Sequence, residues 1–493
     1  MPINTSALKT YSNVINGELT ESSDGRTSDS VNPATGKVWA QIPRSTSDDA
    51  ERAIQGANKA FHEWSGLSAR ERGDYLRKIG DSILPYASEL LELEALNNGW
   101  VLDEYQYLAH VLQEIWYDAA GAAVHVGAQG KTVKTKDKNF SYTLRKPYGV
   151  VVGILPWNAP LFTFTIKAAY ALAAGNTVVI KPSEQAAVGS LRYGEILKEV
   201  LPVGTVNVIA GKGSEIGDYL VSHELVRKVS LTGSKKTAEM ITKATAHLPT
   251  SLVFELGGKS PNIVFEDADI DQAVQGVIQG IFTRNAGQIC VAGSRILIQR
   301  SIFDEVIDKV KHILQGEGYV KFGDTLDTGN TMGPIANASQ YEKVCGFIEE
   351  AKADGSKIIV GGRYGGETLL PEKDEYQKGY WVEPTLIQFE TQTNRLTRDE
   401  IFGPVGVVIP FDTEEEAVQM ANDTKFGLAA GVWTQNLGRA HRLVDQIEAG
   451  TVWVNTYGII GVDVPFGGVK ESGYGTDSIL EYTQEKACIM NMN

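Results

Sequence analysis

The sequence predicts an α/β fold made of parallel sheets with helices on both faces, and two observations carry this. From about residue 147, apolar β-branched runs bounded by Gly or Pro alternate with helical text. The alternation resumes after residue 258, so two α/β units are expected in series. The runs are apolar throughout rather than alternating, as strands buried on both faces must be.

In chain order, the first unit has strands within 148–157, 176–182, 204–211 and 226–233 and helices at 160–174, 186–200, 214–222 and 235–246. The second has strands at 293–298, 405–410, 428–433 and 450–455, with helices near 302–315, 338–353, 413–423 and 437–447. Two long helical patterns precede both, near 48–64 and 69–98. The Gly-rich, charged text of 354–382 reads as an exposed insertion. Residues 128–147 interrupt helical text with alternating polar and β-prone residues, a hairpin suited to contact with another subunit.

The 493 residues carry 46 Lys+Arg against 61 Asp+Glu, a net charge of −15. That balance argues against a nucleic-acid binder, which needs clustered cations, but not against a nucleotide held by backbone amides and helix N-termini. Three cysteines give neither a disulfide framework nor metal-ligand spacing. No leader peptide and no membrane-length apolar run is visible, so a cytoplasmic protein without metal or membrane partner is expected.

Cys290 lies in NAGQICVAGSR, crowded by small residues that let a substrate approach, whereas Cys345 shares a helical apolar stripe with Tyr341, Val344 and Ile348. Cys488, in an apolar run near the end, reads as structural. Glu255 ends an apolar strand before two glycines, where desolvation would raise its pKa and suit it to general-base work; the plainer alternative is a pair with Lys259. Asn158, after GILPW, is either an oxyanion donor at a sheet edge or a helix N-cap ahead of Pro160. Lys181 and Glu184 follow the next strand, where they could bind a ribose diol and Glu184 would repel a ribose phosphate. Gly211, Gly213 and Gly217 make a G-x-G-x-x-x-G turn, and Thr232-Gly233-Ser234 offers a helix N-terminus for a pyrophosphate.

In order, PWN, KPSE, the glycine turn, TGS, ELGGK, NAGQICVAGSR, EIFGPV and PFGGVKESGYG resemble the aldehyde dehydrogenase superfamily, in its hydrolytic, non-CoA-acylating form. The resemblance runs from about residue 13 to the C-terminus, with Glu255 and Cys290 separated by 290 − 255 = 35 positions. It implies a Rossmann-like cofactor domain, an α/β catalytic domain and a small β oligomerisation arm. The implied boundaries are 1–127 with 148–257 for the cofactor domain, 258–455 for the catalytic domain, 456–477 for a return segment, and 128–147 with 478–493 for the arm. It further implies NAD-dependent oxidation of an aldehyde to the acid: a Cys290 thiohemiacetal and thioester, an oxyanion held by Asn158 and the Cys290 N–H, and Glu255 activating the hydrolytic water.

By the same matching, Lys181 and Glu184 meet the adenosine ribose, Trp157 and Ser234 the pyrophosphate, and Glu400 and Phe402 the nicotinamide end, with Gln340 and Lys343 assisting. Ile154, Pro156, Ser183, Gly213, Gly217, Gly233, Leu256 and Gly257 complete the implied cofactor contacts. The implied substrate pocket is Ala159, Phe162, Thr163, Ile166, Arg284, Ile289, Val291, Ile459, Ile460 and Phe466. Glu184 favours NAD, with NADP as the alternative.

Three departures from the family pattern stand out. Lys235 and Lys236 follow TGS and could attract phosphates. Arg284 replaces a frequent aromatic residue and could meet a substrate carboxylate or make a structural salt bridge. The tail after Gly475 is short. A homodimer or homotetramer is expected. The rival readings are an NADP-preferring semialdehyde dehydrogenase and an inactive structural relative.

Overall fold

Val150–Ile154, Thr177–Lys181, Val206–Val208, Val226–Thr232 and Ser251–Glu255 form the parallel centre of an eight-stranded sheet in a computed structural model. The structure describes residues 3, 8–127, 129–134, 139–316, 318–460 and 464–492. The arm expected at 128, 135–138 and 493, the return segment at 461–463, and residues 1–2, 4–7 and 317 lie outside the described residues.

Across this sheet the strands run Gly473–Tyr474, Ser251–Glu255, Val226–Thr232, Val150–Ile154, Thr177–Lys181, Val206–Val208, Asn13–Ile15, Glu18–Thr20, with antiparallel partners at both edges. Within the parallel centre the chain starts at Val150–Ile154, winds outward one way through two strands, then returns to fill the other side. That reversal opens a crevice at the carboxyl ends of Val150–Ile154 and Val226–Thr232, where open α/β sheets bind ligands. Register aligns the ends: Ile154 pairs with Lys181 and with Leu231, and Thr232 with Glu255. Burial explains the apolar text, since Val151, Val152, Val179, Ile180 and Val229 are buried and each such side chain contributes roughly 1.5–3 kcal/mol.

The second sheet has seven strands in the order Lys357–Val360, Thr385–Gln388, Val405–Phe411, Arg295–Gln299, Pro261–Val264, Ala429–Trp433, Thr451–Val454, parallel except at the first pair. At the join between the sheets, Ser251–Glu255 is the apolar strand expected to end at Glu255, whereas Pro261–Val264 was not among the predicted strands, nor was Ile270–Ile278 among the predicted helices.

Two expectations need correction. The pattern at 69–98 is broken into Ala69–Ile83 and Ala87–Asn98 by a tight turn at Leu84–Tyr86, because Pro85 lacks an N–H and its ring clashes with the preceding turn. The 354–382 insertion is not simply exposed. It supplies the edge strand Lys357–Val360 and buries Trp381, whose indole N–H donates to the Ala34 and Tyr376 carbonyls.

The predicted hairpin forms a three-stranded sheet: Thr132–Lys134 pairs with Asn139–Pro147, which pairs along its length with Thr483–Asn491. Cys488 sits opposite Tyr142 in this sheet, and Cys345 is buried in the core with Val344 and Ile348. Among the described residues no helix is long and apolar enough to cross a membrane, and no group of three His, Cys, Asp or Glu is placed to hold a metal ion.

Candidate active site

The carboxyl edge of the first sheet faces loops that lead into the second. Between them lies a cavity of about 540 Å3. From the first sheet come Ile154, Pro156, Trp157, Asn158, Lys181, Ser183, Glu184, Gly233, Ser234, Glu255, Leu256 and Gly257, with Gly213 and Gly217 from the helix Gly213–Val221. From the second come Cys290, Gln340, Lys343, Glu400 and Phe402. Trp157 and Phe402 meet edge to face across the gap, ring centres 5.3 Å apart.

The first wall is open and regular. A Cβ added at Gly213 or Gly217 would meet nothing within 4 Å, so these glycines leave space beside a helix start. Ser234 caps the helix Lys235–Thr245 by accepting the Thr237 N–H at 3.2 Å, and Ser234, Lys236 and Thr237 of this helix start line the cavity. Lys181 is buried, which lowers its pKa, while Glu184 at 3.7 Å partly compensates. Val221, Leu231 and Ile241 add an apolar slot absent from the predicted contacts. Of the two lysines after Ser234, Lys236 lines the cavity, but Lys235 is tied to Glu471 at 2.8 Å. A dinucleotide fits this wall: open glycines and a helix N-terminus for phosphates, a carboxylate for a diol, an apolar slot for a base.

The second wall is strained and cross-braced. Asn285, Ala286 and Gly287 have φ of 47°, 48° and 71°, a left-handed run leading to Cys290. For non-glycine residues this costs roughly 1–2 kcal/mol each, so neighbours must hold it. Both Glu104 oxygens accept the Asn285 backbone N–H, at 2.8 and 3.1 Å. The Asn285 side chain donates to the Asn158 carbonyl at 3.0 Å, and the Gln288 side chain donates to the Asn285 and Pro334 carbonyls. Trp100, stacked on Tyr105, donates its indole N–H to the Asn158 carbonyl at 2.9 Å. Phe402 also has a positive φ, 62°, and Gln340 holds it by donating to the Ile401 and Phe402 carbonyls, both at 2.8 Å.

Asn158 is not a helix cap. The helix Pro160–Ala173 is capped at Ala159 without a side-chain bond, and Asn158 Nδ2 instead donates to the Gln288 carbonyl at 2.8 Å. One amide N–H is thereby spent on the Cys290 loop and the other remains available.

Glu255 is 4% exposed, and neither of its oxygens has a hydrogen-bond partner among the described residues. Burial raises its pKa well above the ordinary carboxylate value; Asp477 raises it further and Lys167 lowers it. The alternative pair with Lys259 does not form: the Lys259 ammonium is also without a partner, and burial brings its pKa down to about 7. Burial, then the Glu255 and Glu400 carboxylates, push the Cys290 thiol up to about 12. Glu400 accepts the Gly258 N–H at 2.9 Å.

Lys167 and Asp477 were missed from the sequence. Lys167 is 1% exposed, donates to Ser230 Oγ at 2.8 Å and lies 3.4 Å from Asp477. Its signal was present as a single charge inside the apolar helix PLFTFTIKAAYALA.

The predicted substrate residues fall outside the 540 Å3 cavity. Ala159, Phe162 and Ile166 lean on the first core, and Thr163 donates its hydroxyl to the Ala159 carbonyl. Ile289, Cys290, Tyr457 and Phe466 pack around a small cluster containing Val291 and Trp453. Val291 is buried in that cluster, whereas Ile459 is exposed and Ile460 half-buried. Arg284 makes no salt bridge among the described residues, so the structural ion pair weighed for it is absent; it donates instead to the Gly458 carbonyl at 2.8 Å.

Comparison with known proteins agrees with this geometry. A model of the aldehyde dehydrogenase family matches residues 19–489. The chain is 39% identical over 486 residues to a betaine aldehyde dehydrogenase of Rhizobium etli, covering 98% of this chain and 97% of that one. Among solved structures, a Staphylococcus aureus betaine aldehyde dehydrogenase in complex with NAD+, with a BME-modified cysteine, matches at TM-score 0.92 and 37% identity, covering 98% of both chains. A Bacillus cereus aldehyde dehydrogenase solved with NAD+ matches at TM-score 0.92 and 36% identity, over 98% of this chain and 97% of that one. The chain belongs to the aldehyde dehydrogenase family.

Proposed function

We propose that this protein oxidises an aldehyde to the carboxylic acid with NAD, using Cys290 as nucleophile, Asn158 as oxyanion donor and Glu255 as general base. One observation supports the division of labour above all: Glu255 is buried, without a hydrogen-bond partner among the described residues, on the same cavity as Cys290.

A thiol pushed up to about 12 is neutral at rest, so attack requires a proton acceptor. Cys290 is half-buried on the open cavity, so water takes that proton and Glu255 stays free for the hydrolytic step. Sγ then bonds to the aldehyde carbon, and the oxygen gains charge beside the free Asn158 N–H. When bound, NAD supplies the hydride acceptor that takes the Cys290 adduct to the acid oxidation level. Glu255 then removes a proton from water as it attacks the Cys290 thioester, and Sγ leaves as the acid departs. The Lys167–Asp477 pair sets the charge around Glu255 from behind.

Glu184 beside the ribose position supports NAD over NADP, as does the engagement of Lys235 with Glu471. The arm sheet exposes Phe140, Ile489 and Met490, which supports assembly with further copies of this chain. The test is NADH formation by purified protein over a panel of aldehydes, compared with Cys290→Ala. Equal rates in the two proteins would refute the nucleophile assignment.

A further inference from the structure

Arg284 opens the strained loop and is exposed, while Asn285 to Gln288 behind it are buried. Its Nη1 is held by the Gly458 carbonyl at 2.8 Å, and among the described residues no carboxylate comes within the 4.0 Å of an ion pair. A Cβ on Gly458 would come within 2.7 Å of that nitrogen, so glycine there leaves the guanidinium room. Gly458 follows Tyr457, whose hydroxyl donates to the Val291 carbonyl at 2.8 Å and whose ring packs in the cluster that holds Cys290, Ile289 and Phe466. Those side chains are apolar or neutral. Arg284 therefore sets a positive charge beside the apolar cluster that packs against the reacting thiol.

Glu104 is the carboxylate nearest in effect, yet it does not neutralise Arg284. Both its oxygens face the Asn285 N–H, and burial pushes it up to about 8 despite the guanidinium. Among the described residues the Gly458 carbonyl takes one of the five guanidinium N–H groups, leaving four to meet a ligand, and a carboxylate matches two of them at once.

We propose that Arg284 receives the far end of the substrate, and that this enzyme takes aldehydes bearing a carboxylate in preference to neutral or cationic ones. This rests on Cys290 being the atom that attacks the aldehyde. It separates this chain from relatives named for betaine aldehyde, whose quaternary ammonium group the guanidinium would repel.

The test is kcat and KM with saturating NAD for 4-oxobutanoate, butanal and betaine aldehyde, in the unmodified enzyme, Arg284→Gln and Arg284→Lys. The expected kcat/KM for 4-oxobutanoate exceeds that for butanal by ~10-fold or more, expressed in KM, with betaine aldehyde poorest. Arg284→Gln brings the ratio toward one and Arg284→Lys keeps part of it, since lysine retains the charge but not the planar fork. Equal efficiency for 4-oxobutanoate and butanal in the unmodified enzyme overturns the proposal and leaves the Cys290 reading intact. So does a ratio that Arg284→Gln does not change. Turnover of no aldehyde at all overturns both.

Discussion

The two walls of the cleft are built on opposite principles. The cofactor wall uses strand ends and helix starts in ordinary geometry, with glycines that leave space and polar groups that are already satisfied or face the gap. The wall that carries Cys290 is irregular: consecutive left-handed residues lead to a thiol kept neutral by burial. That thiol shares the cavity with Glu255, a carboxylate at a strand end of the first sheet without hydrogen-bond partners among the described residues. Binding a dinucleotide needs a surface, which regular structure supplies. Moving protons needs groups held away from water at unfavourable ionisation, and a braced loop supplies that.

Substitutions of Cys290, Glu255 and Asn158, where the two walls meet, should cost turnover, and those among the open glycines of the cofactor wall should cost affinity. Cys290→Ala should show the largest effect, a loss of roughly 10^4-fold or more in kcat, because no other group can form the covalent adduct. Glu255→Gln should lower kcat by ~10^2–10^4-fold. In the unmodified enzyme Glu255 is a base only above its raised pKa, so kcat should climb with pH through that value, and a pH–rate profile of Glu255→Gln should lack this limb. Asn158→Ala should lower kcat by ~10^2–10^3-fold, as loss of an oxyanion donor does, with the NAD KM little changed.

Smaller effects sharpen the comparison. Glu104→Ala strips the acceptor from a buried N–H in the left-handed run and should destabilise by about 1–3 kcal/mol, read by thermal or denaturant unfolding. Glu104→Gln keeps an acceptor and isolates the ionisation. The folded pKa of Glu104 is raised, to about 8, so its contribution to stability is complete below the unfolded value of 4.5 and fades as pH rises through about 8. Melting temperatures of Glu104→Gln should therefore fall less than those of the unmodified protein across that window. Gly217→Ala should be the mildest: neutral or slightly stabilising, by about 0.5–1 kcal/mol, since helix gains and nothing clashes, yet with a higher NAD KM.

The cofactor wall was largely legible in the sequence because its logic is local. Val150–Ile154, Thr177–Lys181 and Val226–Thr232 announce themselves as β-branched runs, and the residues just beyond them lie on one edge. The Cys290 wall was legible in its residue types but not in its shape. Asn285 tolerates a left-handed backbone, but Ala286 gives no hint of one, and its support comes from Glu104, 181 positions away along the chain from Asn285. Long-range braces of that kind leave no periodic trace. Arg284 was ambiguous for the same reason, since the presence or absence of an ion-pair partner is a fact of three dimensions.

In the proposed reaction Cys290 forms an acyl adduct that Glu255 is needed to hydrolyse. Glu255→Gln protein mixed with NAD and aldehyde, followed by rapid NADH absorbance and intact-protein mass, tests this directly. A burst of NADH near one per subunit is expected, then slow turnover, with an acyl group found on Cys290. Unimpaired steady turnover without burst or adduct would contradict that reaction.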